Sequence, residues 1–291
     1  MSLRLETLQV ARLAPKLLGD ATERVAAYLQ EQFNDDGGAR DRDGVSDLYY
    51  TVFTLDSLVA LQVESPDHTV RFLRGFGDGG DLDLVHLACL ARCWTCTPGG
   101  GLSPTLAAGI ASNLERFRSA DGGYNADPQG EIGTVYHGFL AFGAHQDLGR
   151  SCPDPDALAN SLTGLRSADG AFANAPGLPF GITTVTAAAV TLLRHLDRPV
   201  DASIGGWLLE RHTGGGFLAA PRAPMPDLLS TATALHALSA LQVDLARLKE
   251  SCLDFVDTLW TGRAFCGSWG DDQTDSEYTY YGLLALGHLS L

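Results

Sequence analysis

The stretch SADGGYNADPQGEIGT, residues 119–134, holds the key to the architecture. It sets an aspartate, two glycines and an aromatic residue in a tight turn, then a polar run ending in an acid. The segment beginning at Val135 is apolar. The same order recurs along the chain. Glycine turns stand at Asp36-Gly37-Gly38, Asp78-Gly79-Gly80, Asp121-Gly122-Gly123-Tyr124-Asn125, Asp169-Gly170-Ala171-Phe172, Gly214-Gly215-Gly216-Phe217 and Gly267-Ser268-Trp269-Gly270. After each comes a helix rich in Ala and Leu, beginning near Asp47, Asp83, Glu131, Gly181, Asp227 and Asp275. These starts lie 36 to 50 residues apart, a period that marks a repeat architecture.

Each unit holds two helices. The one before the turn is amphipathic, over 22–33, 68–76, 106–119, 155–167, 202–212 and 245–260, with charges such as Glu115, Arg116, Arg118, Glu210 and Arg211 on its wet face. In the fourth of these, Asp154 reads as the N-cap and Pro155 as the first helical residue. The helix after the turn is apolar all round, as in TTVTAAAVTLLRHL (183–196) and LLSTATALHALSAL (228–241), so it must be buried. Half-wet helices alternating with buried ones make an outer and an inner ring. Six such hairpins close into an all-α, α/α toroid, because the chain ends in the apolar run 282–287, with no polar capping repeat. No long stretch alternates with period two, so almost no sheet is expected. The toroid is read as a single domain over 1–291, with an N-terminal helix in 1–20.

Lys and Arg number 20 against 35 Asp and Glu, a net charge of −15. That balance argues against nucleic acid and against an anionic membrane surface as partners. No apolar run reaches the roughly 18 residues of a spanning helix, and no signal peptide opens the chain. Six cysteines without a leader read as reduced thiols, and the expected location is cytoplasmic.

This alternation, with its glycine turns, resembles the β subunits of protein prenyltransferases, the Rab geranylgeranyl transferase β subunit above all, and more distantly the squalene cyclase repeat proteins. The likeness runs over roughly 114–291 and, more loosely, the whole chain. It is carried by SADGGYNADPQGEIGT (119–134), WLLERHTGGGF (207–217), PDLLS (226–230) and DSEYTYYG (275–282). The resemblance implies a zinc held by Asp, Cys and His that lowers the pKa of an incoming thiol. In the matching stretches Asp227 is kept, Leu229 stands for the Cys and Tyr278 for the His. A leucine cannot bind zinc and a lone Asp will not hold it, so no zinc is expected. The diphosphate pocket implied by the same likeness is eroded as well. Pro179, Pro224, Ser230 and Val135 stand at its positions, and Arg222 serves as its arginine only if the loop shifts by one residue.

The residues left at the helix starts are acidic and aromatic. Asp47, Asp81, Asp83, Glu131, Asp227 and Asp275, with Asp271, Asp272 and Glu277 near them, read first as helix caps. The alternative is an acidic rim holding Mg²⁺ at Asp227 and Asp275, bridged to a diphosphate. Tyr49, Tyr50, Phe53, Tyr136, Trp269, Tyr278, Tyr280 and Tyr281, with His137, read as core filling or as an aromatic cup for a prenyl tail or carbocation. Asp227, Tyr278 and Asp83 are the catalytic candidates; Tyr49, Tyr50, Tyr136, His137, Arg222, Trp269 and Tyr281 are the candidates for substrate binding.

Three functions fit these residues. The leading one is a prenyltransferase-like protein binding an isoprenoid diphosphate or similar lipid in the barrel, without zinc. The second is a non-catalytic toroid that binds a peptide or a helical protein partner. The third is a small terpene cyclase using Asp83 as the acid, since Asp81-Leu82-Asp83-Leu84 keeps two of the three acids of the cyclase motif Asp-x-Asp-Asp. His86, Cys89, Cys93 and Cys96 fall on one helical face and read as small buried residues rather than a metal or cluster site.

Overall fold

The structure, a computed structural model, describes residues 1–97 and 101–291. Its helices, in chain order, are α1 (Leu3–Ala11), α2 (Pro15–Leu18), α3 (Ala21–Gln30), α4 (Leu48–Leu61), α5 (Thr69–Arg74), α6 (Leu84–Cys96), α7 (Pro104–Glu115), α8 (Val135–Asp147), α9 (Pro155–Thr163), α10 (Thr183–His195), α11 (Ser203–Leu209), α12 (Leu228–Ala240), α13 (Lys249–Thr258) and α14 (Ser276–Leu289). The even-numbered helices from α4 to α14 are the inner ring. Each packs on the next, and α14 packs back on α4, so the ring is closed. The odd-numbered helices from α3 to α13 form the outer ring and are shorter than the sequence pattern predicts. The fifth turn carries a small antiparallel sheet, β1 (His212–Thr213), β2 (Gly216–Leu218) and β3 (Pro226–Asp227), with Phe217 opposite both His212 and Asp227.

The glycine turns are built by one recurring device. The turn aspartate accepts hydrogen bonds from backbone N–H groups on both sides of the loop. Asp121 takes those of Gly123 at 3.0 Å and Gly133 at 3.1 Å, and Asp169 takes that of Gly181 at 3.1 Å. A threonine one turn into the inner helix then accepts from the strand-like segment: Thr51 from Ala39, Thr186 from Phe172 and Thr231 from Phe217. Gly122 has φ +86°, and a Cβ there would overlap Ala157 of the next outer helix. Only glycine lets the turn approach that helix so closely.

Four inner helices are capped by the aspartates expected to cap them. The carboxylate of Asp47 accepts from the N–H of Tyr49, Asp83 from His86, Asp227 from Ser230 and Asp275 from Tyr278. The other two differ from the sequence reading. Thr134 caps α8, and Glu131 is left exposed in the loop; α10 starts at Thr183 after an uncapped Ile182.

The N-terminal segment is two helices rather than one. It lies across the C-terminal ends of the inner ring, where α1 touches α4, α8 and α14. Arg4 donates to Asp56 at 2.8 Å, the Leu3 N–H to Gln146 at 2.9 Å, and Glu6 accepts from Arg194 at 3.0 Å and pairs with His195 at 2.8 Å. A Cβ on Gly287 would overlap the Val10 carbonyl, so α1 and α14 meet backbone to backbone. α1 thus covers this end of the barrel on its α4, α8 and α14 side.

Candidate functional site

The open end is where the inner helices begin. On five of them a stripe of partly exposed side chains repeats at a spacing of four: Tyr49/Phe53, Tyr136/Leu140, Thr184/Ala188, Leu229/Thr233 and Glu277/Tyr281. Residues four apart share one helix face. These faces look into the lumen, because the flanking positions are buried against neighbouring helices. Deeper along the same faces lie Asp56, Gly143, Thr191 and His236, all buried, where α1 covers the ring. The partly exposed stripe thus lies toward the mouth, above a floor of buried residues.

Its upper wall is aromatic. Tyr49 packs edge-on against Phe53 with ring centroids 5.0 Å apart, and Phe53 lies 5.6 Å from Tyr281. Glu277 stands within this wall and accepts a 2.7 Å hydrogen bond from the Tyr49 hydroxyl. Burial pushes its carboxyl up to about 7, partly offset by that bond and with the nearby Asp275 adding to the rise. Burial, with Tyr281 and Glu277 adjacent, drives the Tyr49 hydroxyl pKa up, so it stays a donor.

Around the rim, charges are paired off. His86 sits between Asp47 at 3.3 Å and Asp83 at 2.9 Å, and the bond to Asp47 with that to Asp83 raises it to about 9. Arg42 reaches Asp271 at 2.7 Å and Asp275 at 2.8 Å and lies over the Tyr278 ring at 5.6 Å. Burial pushes the carboxyls of Asp275 and Asp227 upward. Asp227 is occupied by Ser230, from its N–H and its hydroxyl, both at 2.7 Å.

The floor is a second charged layer. Arg92 projects from α6, donates to Asp147 at 2.7 Å and lies 3.9 Å from Asp56, while Arg4 of α1 closes on Asp56. Cys96 contributes its thiol to Asp56 at 3.2 Å.

Several residues singled out in the sequence come together here, and others do not. Tyr49, Tyr136 and Tyr281 share the lumen. Tyr50 and His137 stay near the rim, partly exposed, with His137 bonded to Thr134 at 2.8 Å and its pKa lowered by burial. Tyr278 lies against Gly267 and under Arg42, between the caps Asp227 and Asp275. Trp269 departs from the expected cup. Its ring packs on Phe255 of the outer helix α13 and its indole N–H donates to Thr258 at 2.8 Å, so it stands off the lumen, 52% exposed. Arg222 is also outside, exposed and stacked over Phe180 at 5.6 Å. Asp83 departs from the buried acid that a cyclase would need: its side chain is 57% exposed, and His86, through backbone and ring, holds its pKa down against burial. Glu277 is the residue that the sequence placed on the rim and the structure places inside. Its spacing from Tyr281 was the available signal.

Among the described residues, no group of three or more His, Cys, Asp or Glu is arranged to hold a metal ion. Cys89, Cys93 and Cys96 are buried thiols on α6, and among the described residues no helix is long and apolar enough to cross a membrane.

The family model for the prenyltransferase alpha-alpha toroid domain matches residues 15–90, 73–218 and 184–290. The chain belongs to that family. Its fold is shared with the type II terpene cyclase MstE from Scytonema. One variant of that enzyme, in complex with geranylgeranyl dihydroxybenzoate, aligns over 99% of this chain and 98% of that chain at 12% identity, with a TM-score of 0.60. Another, without ligand, gives 12% identity over the same shares and a TM-score of 0.61. Protein geranylgeranyltransferase-I of Candida albicans complexed with GGPP aligns over 98% of this chain and 82% of that chain at 14% identity, with a TM-score of 0.41. No curated protein matches the chain.

Proposed function

We propose that the protein binds an isoprenoid chain, or a lipid of like shape, inside the barrel. The observation that carries the reading is the partly exposed stripe inside the ring, with Tyr49, Phe53, Tyr136 and Tyr281 in its wall and α1 covering the far end. Burying an apolar chain there gains roughly 25 cal/mol per Å² removed from water, and aromatic faces pack well against its double bonds. The cyclase MstE, which shares the fold, has geranylgeranyl dihydroxybenzoate as its substrate, in keeping with a geranylgeranyl-sized guest. Transfer through zinc forms no part of the reading, because Leu229 and Tyr278 stand at two of the three ligand positions that the resemblance implies. Magnesium at Asp227 and Asp275 has little support either, since one carboxylate caps α12 through Ser230 and the other holds Arg42.

The test is calorimetric titration with geranylgeraniol, kept below its aggregation limit. Micromolar binding is expected, and Ala188→Phe, which fills the lumen from α10, should weaken it at least tenfold while leaving the circular dichroism spectrum intact. Heat that persists unchanged in Ala188→Phe would place the ligand elsewhere. No heat from the wild-type protein would sink the reading.

A further inference from the structure

Converging helix N-termini are natural anion sites, because free N–H groups and the helix dipole both favour negative charge. At this mouth most of that capacity is spent. Four of the six N-termini already hold a carboxylate, from Asp47, Asp83, Asp227 and Asp275, each bonded to the backbone N–H groups that a phosphate would use. The two cations beside the lumen are spent as well. His86 lies between Asp47 and Asp83, and Arg42 between Asp271 and Asp275. Arg222 is exposed and stacked on Phe180, on the α10–α12 side of the ring and across from Tyr49. A diphosphate entering on this side would meet carboxylates whose neighbouring cations, Arg42 and His86, are already paired.

In place of an anion site, the mouth offers one carboxyl in the aromatic wall whose only hydrogen-bond partner is a tyrosine. Tyr49 donates to one oxygen of Glu277 at 2.7 Å. The other oxygen has no partner among the described residues. A half-buried carboxyl in that state gains from a ligand that donates a hydrogen bond to it.

We propose that the isoprenoid received by this barrel carries a phosphate-free, hydrogen-bond-donating head group, an alcohol, phenol or amine, and that Glu277, positioned by Tyr49, is the residue that reads it. The inference rests on the isoprenoid reading above and narrows it. The acidic caps exclude the diphosphate, the aromatic wall takes the chain, and Glu277 accepts from the head. Its environment fits this role: the carboxyl titrates near neutrality, so it can meet a neutral alcohol or give up its proton to pair with an ammonium.

The experiment compares three probes sharing one chain, geranylgeraniol, geranylgeranylamine and geranylgeranyl diphosphate, by calorimetry at pH 7.5 with and without Mg²⁺. The alcohol and the amine should bind at least tenfold tighter than the diphosphate, and Mg²⁺ should not close the gap. Glu277→Gln keeps an acceptor but loses the charge; it should cost the amine at least tenfold and the alcohol threefold or less. Diphosphate binding as tight as the alcohol, or an amine indifferent to Glu277→Gln, overturns the inference while the isoprenoid reading stands. Failure of all three probes to bind fells the isoprenoid reading and this one together. The ranking in the wild-type protein needs no variant, so a poorly folding Glu277→Gln would not spare the proposal.

Discussion

The two ends of the inner ring carry similar residues to opposite purposes. At the floor, Arg4, Asp56, Arg92 and Asp147 pair completely, and Arg4 and Asp56 keep only 8% and 3% of their side-chain surfaces. At the mouth, the rim charges also pair, but Glu277 is left with a single tyrosine and a raised pKa. Buried charges that balance hold elements together, whereas a half-buried carboxyl with no ion-pair partner among the described residues is free to bond a guest. Burial therefore does not by itself mark a site; an unmet demand does.

The floor should respond most strongly to substitution. Arg4→Ala leaves Asp56 with the Cys96 thiol at 3.2 Å and Arg92 at 3.9 Å, and breaking a buried pair from one side costs about 3 kcal/mol or more. Denaturant unfolding should show that loss. A change below about 1 kcal/mol would mean that α1 is a loose cover over that end.

A second effect separates the two ends by pH. Glu277 has a folded pKa of about 7, above its ordinary 4.5. Its contribution is thus most favourable in acid and is lost as pH climbs from 4.5 through 7, by roughly 2 kcal/mol after allowing for partial exposure. Glu6 at the floor runs the other way. The bond from His195, and that from Arg194, bring it down to about 2 against the effect of burial, so its contribution is present above pH 4.5 and drains as pH falls toward 2. The wild-type stability curve should show both slopes, and Glu277→Gln and Glu6→Gln should each lose one of them. A slope between pH 4.5 and 7 that survives Glu277→Gln would assign it to another group.

Asp227 at the rim should respond least. Asp227→Ala removes a cap and should cost about 1 kcal/mol, while Asp227→Asn, which can still cap, should cost little. If ligand binding falls with both variants and Mg²⁺ restores neither, the carboxylate charge serves more than the helix.

Much of this was legible in the sequence. The period of the glycine turns pointed to the two rings, and the caps Asp47, Asp83, Asp227 and Asp275 were readable because a cap is a local device set by neighbours in the chain. The threonines at 51, 186 and 231 repeat with the same period and could have been read as well. Facing directions were harder. Trp269 packs on the outer helix α13 and Glu277 faces the lumen, and both depend on how loops and helices rotate when the ring closes, which no short window records. The cover by α1 was also out of reach, since Arg4 meets Asp56 only through the closed fold.

That cover bears on how the molecule is made. The first helix rests on the last, with α1 against α14 at Gly287, and the ring itself closes where α14 meets α4. Both joints connect segments far apart in the chain. During synthesis, five hairpins can stack while the ring stays open, but neither the seam nor the cover can form until residue 287 is free to fold. Such long-range closure is slow, and until it occurs the apolar faces of α4 and of α1 stay uncovered. The completion of the barrel is thus a single late event, and the growing chain depends on protection against association until then.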